Sequence, residues 1–158
     1  MGKKLKPLEE IQMKRKSTHV GQSFGTSPPR IAVLLPCLNE AAAIEKVIHD
    51  FRNALPTADI FVYDNASTDD TALIAAKSGA IVRKIIMRGK GYVVRRMFAD
   101  IDADIYLMAD GDGTYDASSA PLLVEAILDG PADMVVGARE NIGAVSRRGH
   151  ALGNKLFN

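Results

Sequence analysis

The chain has 158 residues, of which 47% are apolar and 25% charged, and its formal net charge is +1. These values fit one globular domain and exclude collagen-like, mucin-like and wholly disordered proteins. The purely apolar runs reach about five residues, against the roughly 18 to 20 of a membrane-spanning helix. A single cysteine, Cys37, excludes an internal disulfide framework and a cysteine-only metal site, so we expect a reducing compartment, the cytoplasm.

The charge is unevenly distributed along the chain. Residues 1–30 carry seven basic and two acidic side chains, whereas the remainder carries 13 basic and 17 acidic ones. The basic segment shows no helical period and no apolar secretion signal, and it ends in Ser27-Pro28-Pro29, so we expect a disordered tail. A solvated leader is the simpler interpretation of this tail. Weak attraction to anionic lipid headgroups is the alternative.

The first half of the domain alternates short apolar runs with amphipathic segments. Residues 31–35 are continuously apolar and stop at Pro36, which predicts a buried parallel strand. Apolar residues at three- and four-residue spacing predict a helix over 41–55, with Asn39 as its N-cap. A second strand is predicted over 59–63. Residues 67–70 resemble a capping box, which predicts a second helix ending near residue 77, before Gly79.

The second half continues the same alternation. Strands are predicted over 80–87, 104–108 and 133–136, and helices over 92–100 and 119–128. Five strands joined to helices by short connections predict an open α/β sheet with helices on both faces. Ligands of such sheets bind outside the carboxyl ends of the strands.

Four of the predicted strands end in polar loops, which are residues 36–40, 64–67, 88–91 and 110–113. Helix capping alone explains Asn39 and Ser67 when each is considered singly. Together the loops supply hydrogen-bond donors and carboxylates to one edge of the sheet. We therefore expect the functional site at this edge.

Asp110 and Asp112 are the most chemically suggestive of these loop residues. Two residues apart in an extended segment, their carboxylates lie on one side and can face one hard cation, Mg²⁺ or Mn²⁺. The glycines at 111 and 113 would let the backbone approach a ligand closely. Two further Asp-x-Asp pairs, at 100–102 and 102–104, are interpreted as solvated turn carboxylates.

Three other ligand-binding motifs do not fit. An EF-hand loop would need a glycine where Tyr115 stands, and its third ligand position is Thr114. No G-x-G-x-x-G dinucleotide motif follows the first strand. A Walker phosphate loop is also absent from the sequence.

Five segments in order resemble the inverting family 2 glycosyltransferases of the GT-A fold, especially the polyprenyl-phosphate branch that includes dolichyl-phosphate mannose and glucose synthases. These segments are Leu35-Pro-Cys-Leu-Asn-Glu40, Asp64-Asn-Ala-Ser-Thr-Asp-Asp-Thr71, Arg88-Gly-Lys-Gly91, Asp110-Gly-Asp-Gly-Thr-Tyr115 and Gly137-Ala-Arg139. Their order and spacing cover residues 31 to about 157. The resemblance implies a Rossmann-like, mostly parallel sheet.

The resemblance also implies roles for individual residues. The nucleotide-sugar pocket would be lined by Pro36, Leu38, Asn39, Glu40, Asp64, Asn65, Lys90, Asp110, Arg139, Arg147 and Arg148. Asp110 and Asp112 would hold Mg²⁺ or Mn²⁺ on the diphosphate, and Asp112 and Arg139 would be catalytic. Of Arg147 and Arg148, one would contact phosphate; a solvated helix-start pair is the alternative. Family members commonly carry Asp where this chain has Asn65, and some carry a Gln ligand where it has Thr114.

The implied reaction transfers a sugar from a UDP-, GDP- or dTDP-sugar to a polyprenyl (dolichyl or undecaprenyl) phosphate. An ionised phosphate acceptor needs no strong general base, and the carboxylates assigned above are already occupied, which favours this acceptor over a hydroxyl. The alternatives are a non-catalytic nucleotide-sugar-binding module and an inactive fragment of a longer glycosyltransferase.

Domain boundaries and location follow from the same observations. We expect a tail over residues 1–30 and a nucleotide-sugar-binding domain over 31–158 that is incomplete at its C-terminus. The acidic balance of the domain argues against nucleic acid as a partner. We expect a cytoplasmic protein, attached peripherally to a membrane surface or completed by a partner subunit.

Overall fold

The computed structural model describes residues 27–138 of the chain. It contains four strands: β1 (Ile31–Cys37), β2 (Asp59–Asp64), β3 (Ile81–Lys84) and β4 (Ile105–Met108). All three strand pairings are parallel, and the sheet order is β3-β2-β1-β4. The chain therefore adds strands outward from β1 to β3 and then crosses back to place β4 on the other side of β1. The crevice between β1 and β4 is the switch point of this topology.

Helices cover both faces of the sheet, which confirms the predicted α/β architecture. They are α1 (Ile44–Ala54), α2 (Thr71–Lys77), α3 (Lys90–Asp100) and α4 (Ala120–Asp129), with a 3₁₀ turn at Ala117–Ser119 before α4. Helices α1, α2 and α4 pack on one face, and α3 packs on the other. Within residues 27–138, no helix combines the length and apolar character needed to cross a membrane.

The apolar run of β1 is explained by burial on both of its faces. Val33 and Leu35 pack beneath α1, whereas Ala32 and Leu34 pack beneath α3. All four side chains are almost completely shielded from solvent. A strand covered on both sides has no polar face, and this is why the sequence shows a continuous run instead of alternation.

The beginnings of α1 and α2 differ from prediction. Asn39 is not an N-cap, because α1 begins only at Ile44 after a turn, and its N-cap residue Ala43 makes no side-chain cap. The capping box at 67–70 is also wrong in detail. Helix α2 begins at Thr71, and Asp69 rather than the N-cap residue accepts hydrogen bonds from the Thr71 backbone N–H and hydroxyl. The predicted end of α2 is confirmed, since Gly79 follows with a φ of +83°.

The fifth strand predicted over 133–136 is wrong. These residues form no strand, and the apolar side chains of Met134 and Val136 are exposed. A strand requires a partner ladder as well as β-forming residues. In the described part of the chain, β4 pairs only with β1, so the segment has residues suited to a strand but no ladder.

Several predictions lie outside the described residues. The basic tail falls there up to residue 26, as do Arg139 and the pair Arg147 and Arg148, of which one is expected to contact phosphate.

Candidate functional site

The loops that follow β1 and β4 meet at the switch point of the sheet. A Cβ atom added to Gly111 would lie 2.4 Å from Cys37 Sγ, so the backbone after β4 packs directly against the end of β1. The sequence analysis expected Gly111 to let the backbone approach a ligand closely. In the structure the atom that lies closest to this position is Cys37 Sγ. Gly113 has a φ of +74°, a conformation that glycine adopts without strain. These two glycines set the path of the acidic loop.

Glu40, Asp110 and Asp112 bring negative charge to this crevice, and Asp64 lies near them. Partial burial raises the pKa of Glu40 above its ordinary value, and repulsion from Asp112 and Asp110 raises it further. Burial raises the pKa of the Cys37 thiol to about 12, with Glu40, Asp64 and both loop aspartates adding to the effect. The crevice is therefore a region of concentrated negative potential, which favours cations.

A lysine from the opposite side of the site reaches into this acidic region. Lys90, the first residue of α3, donates a hydrogen bond from Nζ to Asp110 Oδ1. The pair remains accessible, with exposed side-chain fractions of 62% for the lysine and 34% for the aspartate. This ion pair connects the loop after β3 with the loop after β4. Two residues singled out separately in the sequence thus come into contact.

Asp112 has a different set of contacts. Its Oδ1 atom accepts hydrogen bonds from the Thr114 backbone N–H at 2.9 Å and from the Thr114 hydroxyl at 2.7 Å. Thr114 stands where some related synthases carry a third metal ligand. In this chain it orients the second aspartate of the loop.

The loops after β1 and β2 are joined by side-chain hydrogen bonds. Asn39 has a φ of +59°, its backbone N–H donates to Ser67 Oγ at 2.9 Å, and its Oδ1 accepts from the Thr68 N–H at 2.8 Å. The Glu40 N–H donates to Thr71 Oγ1 at 2.8 Å. These bonds fix the backbone that carries Glu40.

Thr71 connects these two loops, a role that was not predicted from the sequence. It is fully buried, and its hydroxyl accepts from Glu40 while donating to Asp69. The available signal was a polar residue at a helix start immediately after the Asp-Asn-Ala-Ser-Thr-Asp-Asp run. Because the buried Thr71 hydroxyl has both hydrogen bonds satisfied within the protein, we interpret it as a structural contact that holds the two loops together.

Asp64 and Asn65 lie at the floor of the site, and both are buried. Asp64 Oδ1 accepts from the Ser67 N–H at 3.2 Å. Asn65 donates from Nδ2 to the carbonyls of Ile85 at 3.2 Å and Met87 at 2.6 Å, and its Oδ1 accepts from the Gly89 N–H at 2.8 Å. Its role in the structure is to hold the loop after β3, whereas nucleotide contact by Asn65 stays a prediction.

The hydrogen bonds of Asn65 explain the early end of β3. The sequence predicted a strand over 80–87, but β3 ends at Lys84. The Ile85 N–H still continues the ladder by donating to the Asp64 carbonyl at 2.8 Å. The carbonyls of Ile85 and Met87 accept hydrogen bonds from the Asn65 side chain, so they are not used to extend the pairing of β3 with β2. After them the chain turns towards Lys90.

The remaining pocket residues of the prediction are at the end of β1. Pro36 lies within β1, opposite Tyr63 of β2, and Leu38 follows the strand and is about half exposed. Leu38 therefore offers apolar surface beside Asn39 and Glu40. Its role in the nucleotide-sugar pocket stays a prediction.

The other Asp-x-Asp pairs have structural partners. Arg30 donates from its guanidinium to Asp102 at 2.9 Å and from its backbone N–H to Asp104 at 2.7 Å. Asp100 accepts from Arg96 Nε at 2.9 Å. The interpretation as solvated turn carboxylates agrees with the exposed side chains of Asp102 and Asp104. It is wrong for Asp100, which is the last residue of α3 and has a side chain that is 13% exposed.

The donor set fits a hard divalent cation that shares its shell with a ligand. Among residues 27–138, no group of three or more His, Cys, Asp or Glu side chains has a metal-binding arrangement. Asp110 and Asp112 supply carboxylate oxygens in a region whose negative charge already perturbs Glu40. Mg²⁺ typically uses one or two carboxylates and completes its shell with water and phosphate oxygens.

Comparison with known sequences identifies the family. The profile of "Glycosyl transferase family 2" matches residues 32–156. The chain belongs to this family. It is 56% identical to Protein RfbJ of Shigella flexneri over 122 residues, which are 76% of this chain and 95% of RfbJ. A more distant relative, an undecaprenyl-phosphate mannosyltransferase of Micrococcus luteus, is 28% identical over 70% of this chain and 48% of its own length.

Solved structures agree with the sequence match. Glucosyl-3-phosphoglycerate synthase of Mycobacterium tuberculosis superposes with a TM-score of 0.60 at 33% identity, covering 65% of this chain and 42% of the synthase. That synthase has been crystallised with Mn²⁺, UDP-glucose and phosphoglyceric acid, and also with Mg²⁺ and UDP. The family 2 glycosyltransferase and GT-A fold expected from the sequence are thereby confirmed. The chain spans less than half the length of the synthase and of the mannosyltransferase.

Proposed function

We propose that this chain binds a nucleoside-diphosphate sugar at the β1–β4 crevice and transfers the sugar, with inversion, to a phosphate acceptor. The observation that carries the proposal is the convergence of Glu40, Asp110 and Asp112 with Lys90 at the switch point of the sheet. The solved relative that binds UDP-glucose supports a nucleotide-sugar donor.

The donor pocket is proposed to use the three loops on the β2 side of the crevice. Glu40 and Asp64 would accept hydrogen bonds from the ribose or base, because ionised carboxylates are strong acceptors of hydroxyl and N–H groups. The other proposed lining residues are Pro36, Leu38, Asn39 and Asn65. Lys90 would exchange part of its contact with Asp110 for a donor phosphate, since both are anions within its reach.

Asp110 and Asp112 would hold Mg²⁺ or Mn²⁺ against the diphosphate. When bound, the cation would act as a Lewis acid that neutralises charge on the departing nucleoside diphosphate. The hydrogen bonds from Thr114 orient Asp112 for this role. Manganese and magnesium complexes of the solved relative support this choice of ion.

The transfer step forms one bond and breaks one. An acceptor phosphate oxygen attacks the anomeric carbon, and the bond from that carbon to the diphosphate oxygen breaks on the opposite face. The products are a glycosyl phosphate of inverted configuration and a nucleoside diphosphate. Because the attacking oxygen is already ionised, no side chain has to remove a proton.

Two arginines complete the proposed phosphate site. Arg139 is proposed as catalytic, together with Asp112, and Arg147 or Arg148 as a further phosphate contact. Donor and acceptor phosphates repel one another when they are brought together, and guanidinium groups offset that repulsion with paired hydrogen bonds.

A polyprenyl phosphate is the acceptor we propose, which places the protein on the cytoplasmic face of a membrane. The distant relative named as an undecaprenyl-phosphate mannosyltransferase supports a lipid acceptor. The division into a tail over 1–30 and a nucleotide-sugar domain over 31–158 is part of the same proposal.

Isothermal titration with UDP-, GDP- and dTDP-sugars, each with and without Mn²⁺, tests this function. We expect one nucleotide to bind and the metal to tighten its binding. Absence of binding to all three donors would contradict the proposal. Asp112→Asn should lose the metal effect, whereas Asp102→Asn, which removes a carboxylate from a structural turn, should retain it.

The alternative to transfer is a nucleotide-sugar-binding module without turnover. Incubating the bound donor with a short-chain polyprenyl phosphate separates the two functions. Release of nucleoside diphosphate together with glycosyl lipid indicates transfer, and tight binding without release indicates the module.

A further inference from the structure

A basic surface on the β3–α3 side of the fold is not used by the proposed donor site, apart from Lys90. Residues 71–99 contain seven basic and no acidic side chains, although the chain from residue 31 onward is acidic overall. The basic residues are Lys77, Arg83, Lys84, Arg88, Lys90, Arg95 and Arg96. All but Lys77 lie between residues 83 and 96, and we call the surface formed by residues 83–96 the β3–α3 surface.

The β3–α3 surface contains a groove of about 560 Å³, lined by residues 83–87 and by α3. Its carboxylate, Asp100, is engaged by Arg96 at 2.9 Å and by the Tyr63 hydroxyl at 3.2 Å. Arg83 and Lys84 are exposed and form no salt bridge with any residue of 27–138. Arg83 acts on Asp100 at longer range, where its charge adds to the hydrogen bond from Arg96 in lowering the pKa of that carboxyl. The charge of Lys84 and the outward side of the Arg83 guanidinium remain available to an anionic partner.

Exposed apolar side chains lie among these basic residues. Ile86 is 90% exposed, Met87 59% and Tyr92 54%. Basic residues on an edge strand such as β3 also prevent edge-to-edge pairing, which accounts for Arg83 and Lys84. That explanation does not extend to Ile86, which lies beyond the end of β3. Basic side chains around an exposed apolar tip are the pattern of a surface that enters the lipid interface.

We propose that the β3–α3 surface docks the protein on an anionic lipid bilayer. Ile86 and Met87 enter the headgroup region, and the surrounding Arg and Lys side chains bind lipid phosphates. Charge complementarity selects this occupant over the chain's own tail, because residues 1–26 carry six basic and two acidic side chains and are repelled by the surface.

The β3–α3 surface adjoins the donor site, so docking would bring that site to a lipid substrate. This step rests on the proposed lipid-phosphate acceptor. The loop that carries Ile86 and Met87 continues through Gly89 into Lys90, and Asn65 fixes that loop to the floor of the donor site. Docking therefore brings the donor site close to the bilayer in which a polyprenyl phosphate resides.

Cosedimentation with vesicles tests the docking. We expect the full chain to bind phosphatidylglycerol–phosphatidylcholine vesicles and not pure phosphatidylcholine, with binding reduced by salt. Replacing Arg83 and Lys84 together by Gln should lower the partition coefficient about 25-fold, at about fivefold for each basic residue. Ile86→Ser should lower binding to anionic vesicles while leaving its salt dependence unchanged.

Matched controls lie on the opposite face of the sheet, where α1 and α2 pack. The double variant Lys46→Gln, Lys77→Gln removes the same charge, and Leu73→Ser removes an exposed apolar side chain from α2. Both should bind vesicles as the unmodified chain does. Circular dichroism and nucleotide titration of each variant in vesicle-free solution report whether the fold and donor site remain intact.

The outcomes separate this proposal from the proposed function. Nucleotide binding without vesicle binding would overturn the docking and leave the donor site standing, whereas vesicle binding without nucleotide binding would contradict the proposed function alone. Equal binding to uncharged vesicles would overturn the electrostatic docking. Absence of vesicle binding, with a dimer that Ile86→Ser dissociates, would assign the surface to a second copy of the chain and overturn the proposal.

Discussion

Lys90 is an exposed side chain for which we predict a role in ligand binding and little effect on stability. Lys90→Gln removes its ion pair with Asp110, and exposed pairs contribute about 0 to 1 kcal/mol to folding. Its loss should weaken nucleoside-diphosphate binding about ten- to a hundredfold, the range for a hydrogen bond to a charged group. Isothermal titration and urea unfolding measure the two effects separately.

The matched control for this change is Lys46→Gln. Lys46 also forms an exposed ion pair with an aspartate, Asp50, but on α1 away from the crevice. It should alter neither nucleotide binding nor, beyond a few tenths of a kcal/mol, stability. Equal loss of binding in both variants would remove Lys90 from the donor site.

Asn65, unlike the exposed Lys90, is buried and should contribute strongly to stability. All three of its side-chain hydrogen bonds go to backbone atoms of the loop after β3. Asn65→Asp keeps the acceptor for Gly89 but replaces the donor to Ile85 and Met87 with an oxygen. We expect a loss of about 1 to 3 kcal/mol in unfolding free energy, the cost of unsatisfied buried polar groups. Hydrogen exchange should also become faster at the amides of residues 85–89.

Asn53→Asp is the control for Asn65→Asp. Asn53 is exposed on α1, so the same chemical change should cost a few tenths of a kcal/mol and leave the exchange of residues 85–89 unaltered. Unchanged exchange in Asn65→Asp would show that the loop does not depend on this side chain.

At the scale of elements, the contact between β1 and the loop after β4 fixes the crevice. Gly111→Ala would place a Cβ atom 2.4 Å from Cys37 Sγ, so we expect a destabilisation of about 1 to 3 kcal/mol from overpacking. Cys37→Ala frees that space, and the double variant should recover much of the loss. A double-mutant cycle from urea unfolding measures the coupling, expected at about 1 kcal/mol or more.

Gly91→Ala provides the comparison for this cycle. Gly91 is the second residue of α3, and outside its own helix and chain neighbours no atom lies within 4 Å of an added Cβ. Alanine there should leave stability unchanged or raise it by up to about 0.5 kcal/mol through helix propensity. Independence of Gly111→Ala from the residue at 37 would contradict the direct contact.

The sequence predicts the individual strands and helices better than it predicts which strands pair. The four strands and four helices were predictable because β1 is apolar on both faces and α1 repeats its apolar residues every three or four positions. The segment over 133–136 also has three consecutive apolar residues, at 134–136, yet it forms no strand. Pairing depends on a neighbour far away in the sequence, and local residue preference carries no information about it.

The sequence predicted that several residues of the candidate site would lie at one edge of the sheet, but not the contacts between them. The rule that ligands bind at the carboxyl ends of strands brought Glu40, Lys90 and Asp110 to one edge. Sequence spacing does not show that Lys90 contacts Asp110, or that Gly111 faces Cys37. Both depend on β4 returning beside β1, which is a property of strand order.

For the molecule as a whole, the buried thiol of Cys37 links stability to pH. Its pKa is about 12 in the folded protein and near 9 when exposed, because burial disfavours the thiolate. The unfolded chain therefore loses this proton first. The stabilising contribution is complete below about pH 9 and is lost as the pH rises towards about 12, at about 1.4 kcal/mol per pH unit.

The Cys37→Ala variant lacks this contribution and is the reference for the measurement. Urea unfolding of both proteins across the alkaline range should give a difference in unfolding free energy that shrinks as pH rises. A thiol reagent should label Cys37 only as fast as the protein unfolds. Rapid labelling under native conditions would contradict the burial.

Ligand binding should also stabilise the whole molecule, because a nucleotide and cation held at the β1–β4 crevice join loops from both sides of the sheet. At a hundredfold excess over the dissociation constant the gain is about 2.7 kcal/mol, which corresponds to a rise in Tm of roughly 10 °C. Thermal unfolding with the bound nucleotide and Mn²⁺, before and after addition of EDTA, measures the metal's share. Asp110→Asn with Asp112→Asn should abolish that share, whereas Asp102→Asn should keep it. A ligand-induced shift that survives both EDTA and the double substitution would place nucleotide binding away from the acidic loop.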